Sequence, residues 1–336
     1  MKLAVDVMGF ENDISEAIKA CRKFKKHNSD IELVIIGDLE KIKPVLKHEN
    51  EFEIVHTEQE ILQTDTPLSA RRKSNSSMHI AAKLLKENKV DGLLSAGSTP
   101  VFVSVMYSTI GLLDGIKKPG FMPTIPTSDG KSFNMIDVGA SIDVEPLDLV
   151  KFAIMANAFA KQRESKPIVG LLNIGTEEHK GLPYIREASE ILKKIPSLNY
   201  VGFVESKELL NRVADVVVTD GFTGNIALKA CEGAAKAVAG IMKKEYKKPY
   251  NILATILSLG IIKKVAKTFD YKEHAGAFVL GLKKICVKTH GSADEQQFYS
   301  SLNMLRDCLK YNVLENIKKD LVDFNTNILP NLKEEK

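Results

Sequence analysis

Short apolar runs alternate with helix-length patterns along most of this chain, and that alternation restricts its fold more than any other feature. Leu3 to Val7 precedes Ile14 to Lys26, Glu32 to Ile36 precedes Leu39 to Leu46, and Asp91 to Ser95 precedes Val101 to Leu113. The order resumes with Asn134 to Val138 and Leu147 to Arg163, Ile168 to Asn173 and Tyr184 to Lys194, Tyr200 to Val204, and Asp215 to Asp220 before a long helix. Such an order predicts parallel βαβ units with helices on both faces of one sheet. Pro119 to Gly130, rich in Pro and Gly, reads as the clearest loop.

The stretch from Ala214 to Asn225, ADVVVTDGFTGN, carries the densest local signal. Val216, Val217 and Val218 suit a strand buried on both faces, and a helical pattern begins near Ile226. Between them Gly221 and Gly224 allow positive φ and close ligand approach, so backbone N–H groups at the helix start aim at an anion, phosphate first. Asn225 is either the helix N-cap or an amide donor to that ligand. Ligands of open parallel sheets bind beyond the carboxyl ends of the strands, so the polar turns after Val5, Leu94, Ile136, Leu172 and Val218 are expected to share one rim.

DGFTGN resembles the signature of the bacterial phosphate acyltransferases called PlsX, and further matching pieces occur in order. These are DVMG from Asp6, RRKSNSSM from Arg71, SAGST from Ser95, DVGA from Asp137, LLNIGTEEHKG from Leu171 and HGS from His290. The resemblance implies a three-layer α/β/α sandwich with a mostly parallel Rossmann-like sheet of the isocitrate/isopropylmalate dehydrogenase type. It implies one catalytic domain over residues 1–336, a helical excursion over about 228–266, and a homodimer. The implied reaction is attack of inorganic phosphate on the thioester of an acylated acyl carrier protein, giving acyl phosphate for phospholipid synthesis, with no cofactor and no metal.

The implied site follows residue by residue. Lys180, beside glycines, steadies phosphate and the developing oxyanion, unless it is a solvated lysine, and Asn225 donates to the carbonyl or phosphate. Asp6, Gly9, Arg72, Ser95, Gly97, Ser98, Thr99, Asp137, Gly139, Asp220, Gly221, Thr223 and Gly224 line the phosphate and substrate. Ser98 or Thr99 also suits a helix cap, Asp6 and Asp137 suit turn caps, and Arg71, Arg72 and Lys73 form a basic cluster before a helix expected from Ser74. His290 reads as a structural histidine. Departures from the family pattern fall at Phe10 and Glu11, Ser98, Pro100, Ser141, and Lys272 and Glu273; Phe10 and Pro100 remove backbone freedom near the phosphate.

Composition narrows the rest. A chain of 336 residues, 44% hydrophobic and 27% charged, affords a sizeable core, and a net charge of +4 without an arginine-rich tract gives no sign of nucleic-acid binding. Cys21, Cys231, Cys286 and Cys308 lie far apart, with neither CxxC pairs nor histidines at metal-ligand spacing, as in a cytoplasmic protein with reduced thiols. GxSxG, Walker and GxGxxG motifs are absent, which withdraws support from acyl-enzyme and nicotinamide chemistry. The amino terminus starts directly as a strand, without a secretion signal. Between Met242 and Lys267, lysines including Lys244, Lys248, Lys263 and Lys264 bracket an apolar tract, Ile252 to Ile262, too short to span a membrane. Leu253 and Leu257 lie on its apolar face, which suits an anionic membrane surface such as the inner face of the plasma membrane, the carrier protein, a partner subunit or an acyl groove.

Overall fold

The computed structural model describes residues 1–268 and 275–334; the side chains of residues 263, 266–268 and 333–334 are outside that description. The side chain of Lys263, expected as a contact, and the departures at Lys272 and Glu273 therefore lie outside the described residues. Strands are β1 (Lys2–Asp6), β2 (Glu32–Gly37), β3 (Glu53–His56), β4 (Gly92–Ser95), β5 (Gly120–Pro126), β6 (Ser132–Ile136), β7 (Ile168–Asn173), β8 (Asn199–Glu205), β9 (Val216–Val218), β10 (Ala277–Leu280) and β11 (Ile285–Lys288). They form one sheet in the order β3-β2-β1-β4-β11-β10-β5-β6-β9-β7-β8.

Helices are α1 (Ile14–His27), α2 (Leu39–Ile42), α3 (Pro67–Ala70), α4 (Ser77–Lys86), α5 (Thr99–Ile110), α6 (Pro146–Ala160), α7 (Pro183–Lys193), α8 (Gly221–Tyr246), α9 (Ile252–Thr268), α10 (Glu295–Lys310), α11 (Val313–Asp323) and α12 (Leu329–Glu334). Helices α1, α6, α7, α10 and α11 cover one face of the sheet with a continuous apolar layer. The other face is covered by α4 and α5 over β1, β2, β4 and β11, and by the start of α8 over β6, β7 and β9. Helix α6 is apolar all round, and Leu149 through Ala160 are all buried because it lies under both halves of the sheet. This is the expected mixed α/β architecture, a large mostly parallel sheet between helical layers.

The segment expected as a loop from Pro119 to Gly130 is instead mostly strand β5. Residues Gly120 to Pro123 pair antiparallel with β10, whereas Thr124 to Pro126 pair antiparallel with β6. Pro123 sits where the strand changes partners, a position at which its missing N–H breaks no continuous ladder. Changing partners there has a larger consequence. Strands β1, β2, β3, β4 and β11 are mutually parallel, and so are β6, β7, β8 and β9, but three antiparallel pairings in between reverse the second block against the first.

Helix α4 starts at Ser77 behind a Ser76 cap, three residues later than expected from Ser74. Helix α8 starts at Gly221 rather than near Ile226 and runs 26 residues, roughly 39 Å. Only Gly221 and Gly224 are buried in it; beyond Leu228 its side chains are exposed or half-exposed, as are most of those described in α9. No helix among the described residues is long and apolar enough to cross a membrane.

Candidate active site

At the end of β1, Asp6 is buried and its carboxylate accepts from the Ser95 hydroxyl at 2.7 Å and the Met8 N–H at 3.2 Å. Ser95 Oγ in turn accepts from the Gly97 N–H at 3.2 Å. Burial pushes the Asp6 carboxyl up to about 6 against these donors. Its bonds are thus spent on holding the turns after β1 and β4. Gly9, at φ +70°, is likewise a close-packing position, since a Cβ there would sit 2.0 Å from the Ile61 carbonyl oxygen. Gln63, which the sequence reading missed, joins the two turns by donating to the carbonyls of Gly9 and Ala96 at 2.6 and 3.0 Å.

Phe10 stacks edge-on against Phe298 at 5.2 Å and so belongs to the core. Pro100 occupies the first turn of α5, where a missing N–H costs nothing. Ser98 stands at the N-cap of α5 but its hydroxyl makes no capping bond, and Thr99 is the first helical residue, so neither hydroxyl caps α5. The basic cluster divides: Lys73 pairs with Asp65, while Arg71 and Arg72 are exposed.

The second cluster is built around Asp137, also buried. Its Oδ1 accepts from the N–H groups of Phe121, Gly139 and Ala140 at 2.9 to 3.0 Å, and Oδ2 from that of Ser141 at 2.5 Å. Burial outweighs these donors, and the carboxyl is pushed up to about 6. Helix α8 packs directly on this turn. Gly221 and Gly224 do not adopt positive φ; they are needed because a Cβ would come 2.6 Å from Asp137 Oδ2 and 2.0 Å from the Asp137 carbonyl oxygen, respectively. The expected free N–H groups are largely used internally: Gly221 donates to the Ser141 carbonyl at 2.9 Å and Thr223 to Asp220 at 2.8 Å. Asp220, not Asn225, is the N-cap. Asn225 lies inside the helix, its amide nitrogen 3.3 Å from where a Cβ on Gly139 would stand.

Lys180 follows β7 and is half exposed, its ammonium 2.8 Å from Glu177. Its backbone is fixed more firmly than its side chain. Asn173, at the end of β7, donates to the carbonyls of Gly175 and Lys180, and Gly181, at φ +91°, admits that amide where a Cβ would come 2.1 Å from its oxygen. Tyr184 donates to Asp220 at 3.1 Å, tying the Lys180 segment to the start of α8; burial and the Asp220 charge push its hydroxyl up to about 12. Asn173 stood within a matched stretch, whereas Tyr184 offered no sequence signal beyond opening a helix.

The reversal at β5 divides the expected rim into two groups of turns, carried by strands of opposite direction. Ser95 is level with Lys288, Ala277 and, across β10, Pro123, whereas Asp137 lies beside Phe121 on the far side of β5. With strands about 4.8 Å apart, Asp6 and Asp137 are five strand positions and roughly 24 Å distant along the sheet. The turns after β1, β4 and β11 therefore form one cluster and those after β6, β7 and β9 another, on strands of opposite direction whose carboxyl ends come nearly level along β5, at Pro123 and at Phe121. Helix α8 joins them: it starts on Asp137, and its Glu232 and Lys236 act electrostatically on His290, just beyond β11. His290 itself is bonded to Ser292 Oγ at 2.8 Å and held below the usual imidazole range by burial and by Lys288, in keeping with a structural histidine.

This two-block α/β/α architecture is that of the phosphotransacylases and their structural relatives. A phosphotransacetylase from Streptococcus pyogenes superposes with a TM-score of 0.62 over 94% of each chain at 17% identity. The EutD phosphotransacetylase from Staphylococcus aureus gives 0.59 at 13% identity, covering 93% of this chain and 94% of that one. Sequence then specifies the family within the fold. The chain belongs to the fatty acid synthesis protein family, the PlsX family, whose profile matches residues 1–316. A phosphate acyltransferase of Ureaplasma parvum serovar 3 is 56% identical over 96% of this chain and 98% of its own length. Relatives of the same name in Malacoplasma penetrans and Mycoplasma genitalium are 50% and 43% identical over 95% and 96% of this chain, each across 98% of its own length.

Proposed function

We propose that this chain transfers a fatty acyl group from the thioester of acyl carrier protein to inorganic phosphate, releasing acyl phosphate and the carrier's free thiol. The observation that carries this reading is near full-length identity of 40 to 56% to proteins named phosphate acyltransferase, over a fold shared with phosphotransacetylases. The chain is on this basis an acyltransferase of fatty acid and phospholipid synthesis. A phosphate oxygen attacks the thioester carbonyl, the tetrahedral oxyanion collapses, and the carrier thiolate leaves and takes a proton. No residue has to become acylated, because phosphate is the nucleophile. What the protein supplies is alignment and charge for the oxyanion.

The Lys180 ammonium and Asn225 amide are assigned to that oxyanion, the first released from Glu177 when substrate arrives. Their support is geometric: Tyr184, Asp220 and the Asp137 turn fix the segments carrying both residues against each other. Outside the site, Leu253 and Leu257 on α9 are 71% and 76% exposed, with Lys244 on α8 and Lys248 in the connection before α9, a surface suited to an anionic membrane, to the acidic carrier or to a second subunit of a homodimer. The fold likeness also favours a second reading, a phosphotransacetylase-like enzyme acting on short acyl coenzyme A.

The test is mass-spectrometric detection of acyl phosphate from palmitoyl acyl carrier protein and phosphate, with Lys180→Ala and Asn225→Ala as controls. Product from the wild type and at least a hundredfold less from either variant is expected. Turnover of acetyl coenzyme A but not of palmitoyl carrier protein would select the second reading.

A further inference from the structure

Lys288 ends β11 and is buried, yet its ammonium donates only to the carbonyl of the adjacent Thr289, at 2.7 Å, and forms no ion pair among the described residues. A buried cation with no carboxylate in contact, the Glu11 charge acting only from a distance, is costly unless something anionic arrives. In register, Lys288 lies beside Ser95, and Ser95 beside Asp6. Strand alternation puts Lys288 on the same face as Cys286, the face that α5 covers through Val101, Phe102 and Val105. Helix α5 leaves β4 just beyond Ser95, with its N-terminus uncapped by Ser98. Of the two helix starts considered for phosphate, α8 has two of its first N–H groups already bonded, whereas α5 has no side-chain cap.

We propose that Lys288 is the buried counter-charge of a phosphoryl oxyanion held against the N-terminus of α5, with the Ser98 hydroxyl as a neutral donor. This rests on the phosphate acyltransferase reading and adds a charged binding residue to it. Two phosphoryl groups have the required chemistry, free inorganic phosphate and the phosphodiester of the carrier's pantetheine arm. The charged groups facing Lys288 are Glu11 from the turn after β1, His290 beyond β11, and Asp6 across Ser95. Burial holds the ammonium down to about 8, with Glu11 opposing. An anion favours the charged form, so binding above about pH 8 requires proton uptake, and affinity then falls by about tenfold per pH unit.

The test uses the whole enzyme and two readouts. Thermal stabilisation by inorganic phosphate, which needs no turnover, is measured for wild type, Lys288→Met and Lys288→Arg; steady-state KM values for phosphate and for palmitoyl carrier protein follow. The expected result is loss of phosphate stabilisation in Lys288→Met, retention in Lys288→Arg without the wild-type weakening above pH 8, and a phosphate KM raised at least tenfold in Lys288→Met. If instead only the carrier KM rises, the oxyanion is that of the pantetheine arm. Equal stabilisation of wild type and Lys288→Met with unchanged KM values overturns the assignment and leaves Lys288 a packing residue. Should Lys288→Met not fold, Lys288→Gln and Ser98→Ala take its place, and phosphate stabilisation equal to wild type in both overturns it equally. A wild type that binds phosphate but makes no acyl phosphate rejects the reaction while leaving the Lys288 site standing.

Discussion

Gly224 shows how little room this site leaves at the level of one residue. Its Cα faces the Asp137 carbonyl oxygen so closely that any Cβ must displace backbone, and backbone here is held by the four N–H groups converging on the Asp137 side chain. Gly224→Ala is therefore expected to cost about 2 to 4 kcal/mol, even though alanine is the better helix former. Denaturant unfolding of the variant checks this; a stability equal to wild type would mean that the turn yields without cost. The glycines of DGFTGN were legible as positions of close approach. What approaches was not, because the partner is a turn more than 80 residues earlier in the chain rather than a ligand.

At the scale of the element, α8 and α9 carry the sharpest contrast between sequence and environment. Leu257 lies on an apolar stripe, yet no other element among the described residues covers it, while Thr255 bonds to the carbonyls of Tyr246 and Asn251 and Ser258 to that of Ala254. An apolar face of this size in water calls for a partner, and the flanking lysines favour an anionic one. Leu257→Glu is expected to leave thermal stability within about 0.5 kcal/mol and solution turnover largely intact while lowering co-sedimentation with anionic vesicles. Loss of a dimer on gel filtration, with vesicle binding unchanged, would assign the face to a second subunit.

Over the whole molecule, the apolar layer beneath the sheet runs without a break under the two opposed blocks. Cys21, Cys286 and Cys308 lie within it or on the opposite face, all buried, with their thiols pushed upward by desolvation, whereas Cys231 on α8 is half-exposed. Thiolates are the reactive form, so a colorimetric disulfide reagent should modify Cys231 in the native protein and the other three only at the rate of unfolding. Rapid native reaction of all four would contradict the packing of α1, β11 and α10.

The alternation of apolar runs and helical patterns determined the mixed α/β class, the parallel blocks and most element positions, since hydrophobic periodicity is a local property of the chain. The motifs determined where polar chemistry sits: Asp6 and Ser95 end strands, and Asp137, Asp220 and Asn225 fall in the turn or helix start that follows one. Only the tertiary structure decided where those turns meet. Strand direction is set by pairing between distant segments, and the partner change of β5 at Pro123, written locally as a proline-rich breaker, reverses half the sheet. Likewise Lys288 reads as an ordinary lysine at the end of an apolar run; its burial comes from β4, β10 and α5, which no local pattern places around it.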